Sequence, residues 1–68
     1  MAINAISYSY WRSIKRGTRT FESVLNNSKE SVRKLADDIR AIAKAEVENG
    51  EITAVEYAQY IGEVYNVG

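Results

Sequence analysis

The most regular pattern of apolar and polar positions in the chain runs from residue 28 to residue 49. Apolar side chains recur there every three or four residues, at Val32, Leu35, Ile39, Ile42 and Ala43. This spacing places side chains on one face of an α-helix, and most of the charged residues fall on the other faces. The pattern therefore predicts a long amphipathic helix over residues 28–49, ended by Asn49-Gly50.

A second helix is predicted after this glycine, over residues 53–66. Thr53 and Glu56 have the spacing of a capping box, in which each side chain accepts a hydrogen bond from the other residue's backbone N–H. An apolar stripe follows, formed by Tyr57, Ile61, Val64 and Tyr65. Only residues 50–52 separate the two helices, so we expect them to pack as an antiparallel hairpin.

The first segment of the chain also favours a helix, over residues 3–16. Apolar residues fall at helical spacing at Ile3, Ile6, Tyr10 and Ile14. Gly17 follows the basic pair Lys15-Arg16, which is typical of a helix C-terminus. A short strand is the alternative at residues 6–10, because apolar and polar side chains also alternate there.

The residues between these helices have two interpretations. In the favoured one, a short helix or turn over residues 20–25 ends at residues 26–28, because adjacent asparagines compete for helix hydrogen bonds. Asn27 and Glu30 would then begin the next helix with a capping box. In the other, one helix runs from about residue 19 to residue 49, since the apolar residues before the asparagines continue the heptad spacing.

These elements predict an all-α fold: one small helical domain over residues 1–68, with a long central helix and a C-terminal antiparallel helical hairpin. A chain of 68 residues buries only about 60% of the surface that its unfolded form exposes, so its core is small. It has no cysteine for a disulfide and no histidine. Helix packing or association with partners must therefore supply its stability.

Neither catalysis nor a cofactor is expected. Without Cys or His, the chain cannot build a Cys/His zinc site or a Cys–His or Ser–His nucleophile pair. The adjacent Asp37 and Asp38 point about 100° apart on a helix, so they do not share a metal site. No apolar run reaches the roughly 20 residues that span a bilayer. We therefore expect no metal, no small-molecule substrate and no membrane partner.

The charge is unevenly distributed although it sums to zero. Four of the nine Lys and Arg, and none of the nine Asp and Glu, lie in the first 21 residues. Aromatic residues lie among these cations, and together they form the candidate partner-binding site, the aromatic-basic cluster: Tyr8, Tyr10, Trp11, Arg12, Lys15, Arg16 and Arg19. Trp, Tyr and Arg dominate protein interfaces. Such residues also bind single-stranded nucleic acid, or simply close a small core.

Two stretches of the chain resemble a known family. SYWRSIKRGTRTFESV resembles the opening of small proteins encoded among prophage tail genes of Gram-positive bacteria, with matches at Tyr10, Ile14, Lys15, Gly17, Arg19, Thr20, Glu22 and Val24. VENGEITAVEYAQYIGEVY is similar to the end of XkdX-like phage proteins, with matches at Gly50, Ile52, Thr53, Tyr57, Ile61, Gly62 and Tyr65. The stretches cover roughly half of the 68 residues. Leu25 stands where such proteins often carry a proline.

The resemblance implies a non-enzymatic phage or prophage structural or accessory protein, associated with the tail, that acts through protein–protein contacts. Its partners would be copies of itself or other phage structural proteins, in the cytoplasm of a bacterial host or in the phage particle. The alternative is a small prophage regulator that binds nucleic acid, the less favoured partner. A small inhibitor of a host protein is a third hypothesis.

Overall fold

The computed structural model describes residues 3–65, which form five helical segments joined by short loops. These are α1 (Ala5–Arg16), α2 (Phe21–Leu25), α3 (Glu30–Arg33), α4 (Leu35–Glu48) and α5 (Ala54–Ile61). This part of the chain contains no strand, so the predicted all-α class is confirmed and the alternative strand at residues 6–10 is not formed.

Local side-chain and backbone chemistry sets both ends of α1. Asn4 caps the start, since its side chain accepts a hydrogen bond from the backbone N–H of Ile6 at 2.9 Å. The helix therefore begins two residues later than the predicted residue 3. Gly17 follows the last turn with φ of 82°, and its N–H donates to the carbonyl oxygen of Ile14 at 3.1 Å. This left-handed conformation favours glycine, so the predicted helix stop is confirmed.

The chain leaves the helical conformation between α2 and α3, so residues 19–49 do not form one helix. The side-chain oxygen of Asn27 accepts a hydrogen bond from the backbone N–H of Lys29 at 2.9 Å. The backbone carbonyl oxygen of Asn27 accepts another from Arg33 Nη1 at 2.6 Å. The predicted capping box of Asn27 and Glu30 is therefore wrong. The helix starts after Lys29, which makes no side-chain capping bond, and not at residue 28.

The helix α3 and the helix α4 are two parts of one bent helix. Lys34, between them, has φ of −65° and ψ of −20°, which lies at the edge of the right-handed helical region. The continuous helix predicted over residues 28–49 is thus interrupted by a bend as well as shortened at its start. Val32 and Leu35, near the bend, are partly buried, whereas Ile39 and Ala43 are fully buried. The α4 part therefore makes most of the contact with the core.

The capping box predicted at Thr53 and Glu56 is confirmed. The N–H of Glu56 donates to Thr53 Oγ1 at 3.1 Å, and the N–H of Thr53 donates to Glu56 Oε1 at 2.9 Å. The helix that they begin is shorter than predicted, because Gly62 adopts a left-handed conformation with φ of 80°. Residues 62–65 are not helical, so the predicted continuation of the helix is wrong there. Residue 66 lies outside the described residues.

One apolar core lies between the helices. Its buried members are Trp11, Ile14, Phe21, Val24, Ala36, Ile39, Ile42, Ala43, Ile52, Tyr57 and Ile61. Val64, predicted to continue the apolar stripe, is instead 87% exposed, because the chain has already left the helix. Within residues 3–65, every buried side-chain nitrogen or oxygen has a hydrogen-bond partner, as a stable core requires.

The helix α1 packs along α4 in the parallel direction. Ser7 Oγ donates to Asp38 Oδ2 at 3.1 Å, and Lys15 Nζ donates to Glu46 Oε1 at 3.1 Å. In each pair the two residues are 31 positions apart in the sequence. Moving from Ser7 to Lys15 along α1 therefore corresponds to moving the same number of residues along α4. The helices therefore run in the same direction in a defined register. The helix α5 also contacts α4, and the antiparallel direction of that pair stays a prediction.

Replacing Thr53 with alanine removes one half of the capping box. We expect Thr53→Ala to lower the free energy of unfolding by about 1 kcal/mol, because an N–H at the start of α5 loses its partner. Thr53→Ser keeps the hydroxyl and should remain close to the wild type. Urea denaturation followed by circular dichroism measures both variants, and equal losses would contradict the role of the cap.

Candidate interaction surface

The structure divides the aromatic-basic cluster into three groups instead of bringing its seven residues to one surface. The first group contacts α4, the second joins the middle of α1 to the loop that follows the helix, and the third lies on the outer face of α1. In this order the groups are Trp11 with Lys15, Tyr10 with Arg19, and Tyr8 with Arg12 and Arg16.

The first group is built around the carboxylate of Glu46. Trp11 is 1% exposed, and its Nε1–H donates to Glu46 Oε2 at 2.7 Å. Lys15 Nζ donates to the same carboxylate at 3.1 Å and lies 5.3 Å from the centre of the Trp11 ring. The rings of Trp11 and Tyr60 are nearly perpendicular, at 87°, with their centres 5.6 Å apart. Because its ring is enclosed in this way, Trp11 is a core residue and is removed from the candidate binding site.

The second group folds the loop after α1 back onto the helix. The guanidinium carbon of Arg19 lies 4.1 Å from the centre of the Tyr10 ring, which is the distance of a close cation–π contact. Such contacts contribute about 0.5–1 kcal/mol at exposed sites. Arg19 therefore positions the loop and is only partly available to a partner.

The third group forms a strip that we call the outer α1 strip. Tyr8 is 47% exposed, and Arg12 and Arg16 are exposed as well. The three residues are four positions apart, so they follow one side of α1 over about 12 Å. None of the ion pairs within residues 3–65 involves Arg12 or Arg16. An exposed aromatic ring and two exposed cations thus lie side by side.

A groove of about 410 Å³ opens where the ends of α1 and α5 meet α2. Its apolar walls come from Ile14, Phe21, Leu25, Tyr60 and Ile61, and its polar and charged edge comes from Arg19, Thr20, Glu22, Gln59 and Glu63. Leu25 is 38% exposed, although its side chain is apolar. Ile14, Phe21 and Ile61 are buried in the core, so Leu25 and Tyr60 supply most of the apolar surface that the groove exposes to solvent.

Two glycines at the edge of the groove end the neighbouring helices. Gly17 has φ of 82° and Gly62 has φ of 80°, and both line the groove. A Cβ added at either position would meet no atom within 4 Å. The backbone conformation, and not a lack of space, therefore requires glycine here. Thr20 caps α2 on the same side, accepting from the N–H of Ser23 at 3.2 Å.

An ion-pair cluster around Arg40 holds one edge of the groove. Its Nη2 and Nε donate to the two carboxylate oxygens of Glu63 at 2.7 and 3.0 Å, and its Nη1 donates to Asp37 Oδ1 at 3.1 Å. The guanidinium carbon lies 5.1 Å from the centre of the Phe21 ring. This arrangement ties the chain after α5 to the middle of α4 and to α2.

The pKa values of this cluster reflect the same contacts. The hydrogen bond from Arg40 lowers the pKa of the Glu63 carboxyl below its ordinary value of 4.5. That bond also raises the pKa of Arg40. Burial, and then the charge of Glu63, raise the pKa of the Tyr57 phenol. The contacts therefore favour the charged forms of the pair and the neutral form of the tyrosine.

Other types of site find no support in the geometry. Residues 3–65 contain no group of three or more His, Cys, Asp or Glu side chains that could hold a metal ion. Within the same residues, no helix has both the length and the apolar character needed to cross a bilayer. Comparisons with protein-family models, with curated proteins and with solved structures give no match to the chain.

Removing the carboxylate of Glu46 tests the first group. Glu46→Ala should lower the free energy of unfolding by about 1–3 kcal/mol, because the buried N–H of Trp11 loses its acceptor. Glu46→Gln keeps an acceptor oxygen and should lose less. Denaturation can be followed by the fluorescence of the only tryptophan in the chain. The control Glu48→Ala removes an exposed acid from the same helix, and an equal loss there would contradict the assignment.

The Glu63–Arg40 pair predicts a dependence of stability on pH. Because the pKa of Glu63 is lowered on folding, its contribution is fully present above the ordinary value of 4.5 and is lost as pH falls through the lowered value. Glu63→Gln should cost less than about 1 kcal/mol near neutral pH, since the pair is partly exposed. Thermal unfolding of both proteins should converge in acid. A difference that stays constant from neutral to acid pH would contradict the linkage.

Proposed function

We propose that the protein is a non-enzymatic structural or accessory component of a phage or prophage particle, associated with the tail, and that it acts through protein–protein contacts. The observation that carries this proposal is the outer α1 strip. Tyrosine and arginine are enriched among residues that dominate binding energy, and here both types are exposed on one side of a helix. The resemblance of two stretches to XkdX-like proteins supplies the phage context.

The size of the domain supports a role that involves partners. A chain of 68 residues without disulfides has a small margin of stability. A partner that binds only the folded form adds a free energy of RT ln(1 + [L]/Kd) to that margin. The outer α1 strip and the groove are the surfaces on which we expect this contact.

The pKa shifts of three described groups have structural causes. The described groups with clearly shifted pKa values are Arg40, Tyr57 and Glu63. Their shifts follow from one ion pair and from the burial of a core tyrosine. A catalytic site usually combines such shifts with a nucleophile and a base in a cleft, and these three groups form no such set.

Nucleic-acid binding is the alternative function, and the number of available cations disfavours it. Lys15 is held by Glu46 and Arg19 lies over Tyr10, which leaves two of the four cations of the cluster on the outer α1 strip. Two phosphate contacts would give a slope of only about −2 when the logarithm of affinity is plotted against that of salt concentration. A DNA affinity with a slope of about −4 or steeper would favour the regulator.

Sedimentation with phage particles tests the proposed function. A tagged copy is expressed in a bacterial host that produces particles with related tails, and lysates are separated on a density gradient. We expect the wild type in the fractions that contain tails and the Tyr8→Ala/Arg12→Glu variant largely outside them, because the outer α1 strip is lost. Ile6→Ala, which changes another exposed residue of α1, is the control. Wild-type protein found only among free proteins at the top of the gradient would contradict the proposal.

A further inference from the structure

We infer that the outer α1 strip of one molecule docks into the groove of a second copy, so that the protein associates head to tail. This inference rests on the proposed function, because it specifies one of the protein–protein contacts that the function requires. Its basis is that a single chain carries both an exposed aromatic-basic strip and an open apolar groove with acidic residues at its edge.

The two surfaces cannot satisfy each other within one molecule. Tyr8 and the groove residue Ile14 lie on the same helix, but they are six positions apart. This spacing places their side chains about 120° apart around the helix axis and about 9 Å apart along it. The ring of Tyr8 therefore points away from the groove of its own chain, and both surfaces are available at the same time.

The shapes of the two surfaces fit an aromatic side chain entering an apolar groove. Tyr8 is an aromatic ring on the outer side of α1 that is about half exposed. The groove is walled by aliphatic residues and by the rings of Phe21 and Tyr60, and Leu25 exposes further apolar surface there. Aromatic anchors that enter such pockets contribute much of the free energy of binding in protein interfaces.

The charges of the two surfaces are complementary. Arg12 and Arg16 follow Tyr8 by one and two helical turns. The edge of the groove carries two acids, Glu22 and Glu63, and one cation, Arg19, which lies over the Tyr10 ring of its own chain. Glu63 already binds Arg40, whereas none of the ion pairs within residues 3–65 involves the exposed Glu22. An incoming Arg12 therefore finds Glu22 as its partner. Opposite charges at an interface steer association and fix its register.

The charge distribution of the chain favours a second copy as the occupant. The first 21 residues carry four cations and no acid, and the remaining residues carry nine acids and five cations, so the two parts have charges of +4 and −4. The outer α1 strip lies in the first part, whereas seven of the twelve groove residues, including both acids, lie in the second part. Contact between the strip of one copy and the acidic edge of the other is therefore attractive, while their net charge of zero causes no overall repulsion. Because the contact joins two different surfaces, it can repeat into a ring or a filament.

Light scattering of the purified protein and of two complementary variants tests this contact. The wild type should exceed the monomer mass of 7.7 kDa as concentration rises, and less so at high salt because charges are screened. The strip variant Tyr8→Ala/Arg12→Glu and the groove variant Leu25→Lys, which places a cation where the cations of the strip must approach, should each remain monomeric. Their equimolar mixture should form dimers and nothing larger, because only one intact strip and one intact groove can meet.

Two control variants carry similar changes at exposed positions outside both surfaces. Lys29→Glu reverses a charge as Arg12→Glu does, and Val55→Lys introduces a cation at a residue that is 67% exposed. Both should associate like the wild type. Circular dichroism checks that all variants fold. A chain that carries both Arg12→Glu and Glu22→Arg exchanges the two charges of the proposed pair and should recover association.

Three outcomes would overturn the inference. They are a wild type that stays monomeric at all concentrations, a mixture of two folded variants that forms no dimer, and controls that lose association as fully as the strip variant. A monomeric wild type that still sediments with tails would overturn the head-to-tail contact and leave the proposed function intact. Head-to-tail association without sedimentation would confirm the contact and contradict the proposed function.

Discussion

The hydrogen bond between the Trp11 indole and the Glu46 carboxylate is the interaction on which the rest of the structure depends. A buried indole N–H without an acceptor costs about 1–3 kcal/mol, a large part of the stability of so small a domain. The acceptor lies on α4, so it fixes where α1 lies and how it is rotated. Ser7 lies one turn before Trp11, and its hydrogen bond to Asp38 adds a second contact that holds α1 on α4. The exposure of Tyr8, Arg12 and Arg16 is therefore a consequence of how the core is satisfied.

The groove has an equally local origin. Both α1 and α5 end at a glycine in the left-handed conformation, so the backbone turns away sharply after each helix. The last apolar residues of the two helices therefore line the groove. Arg40 then holds the chain after α5 by both carboxylate oxygens of Glu63. The groove thus results from two helix stops and one bidentate ion pair, features that also stabilise the fold.

Local chemistry made much of the fold predictable from the sequence. The capping box at Thr53, the stop at Gly17 and the helical spacing of the core residues all act within a few positions of the chain. The early end of α5 also had a local signal, because Gly62 is a glycine that can end a helix as Gly17 does. The bend at Lys34 had none, since its backbone stays helical and the apolar spacing continues across it.

The division of the aromatic-basic cluster could not be predicted in the same way. Glu46 lies 35 residues from Trp11, and Glu63 lies 23 residues from Arg40. Such partners leave no mark in the local pattern, because only the packing of helices brings them together. Ser7 illustrates the limit most clearly. This polar residue is 0% exposed, and the hydrogen bond to Asp38 that satisfies its hydroxyl is with a residue distant in the sequence.

The parallel packing of α1 on α4 has a consequence for the order in which the chain acquires its structure. The contacts that hold α1 join residues about 31 positions apart, whereas those between α4 and α5 cross a short turn. Closing the longer loop costs more entropy, so the local pair forms first and α1 is added to it. During synthesis Trp11 leaves the ribosome well before Glu46 and cannot be buried with its partner until α4 is complete. The aromatic-basic cluster therefore divides into its three groups only after α4 has been made.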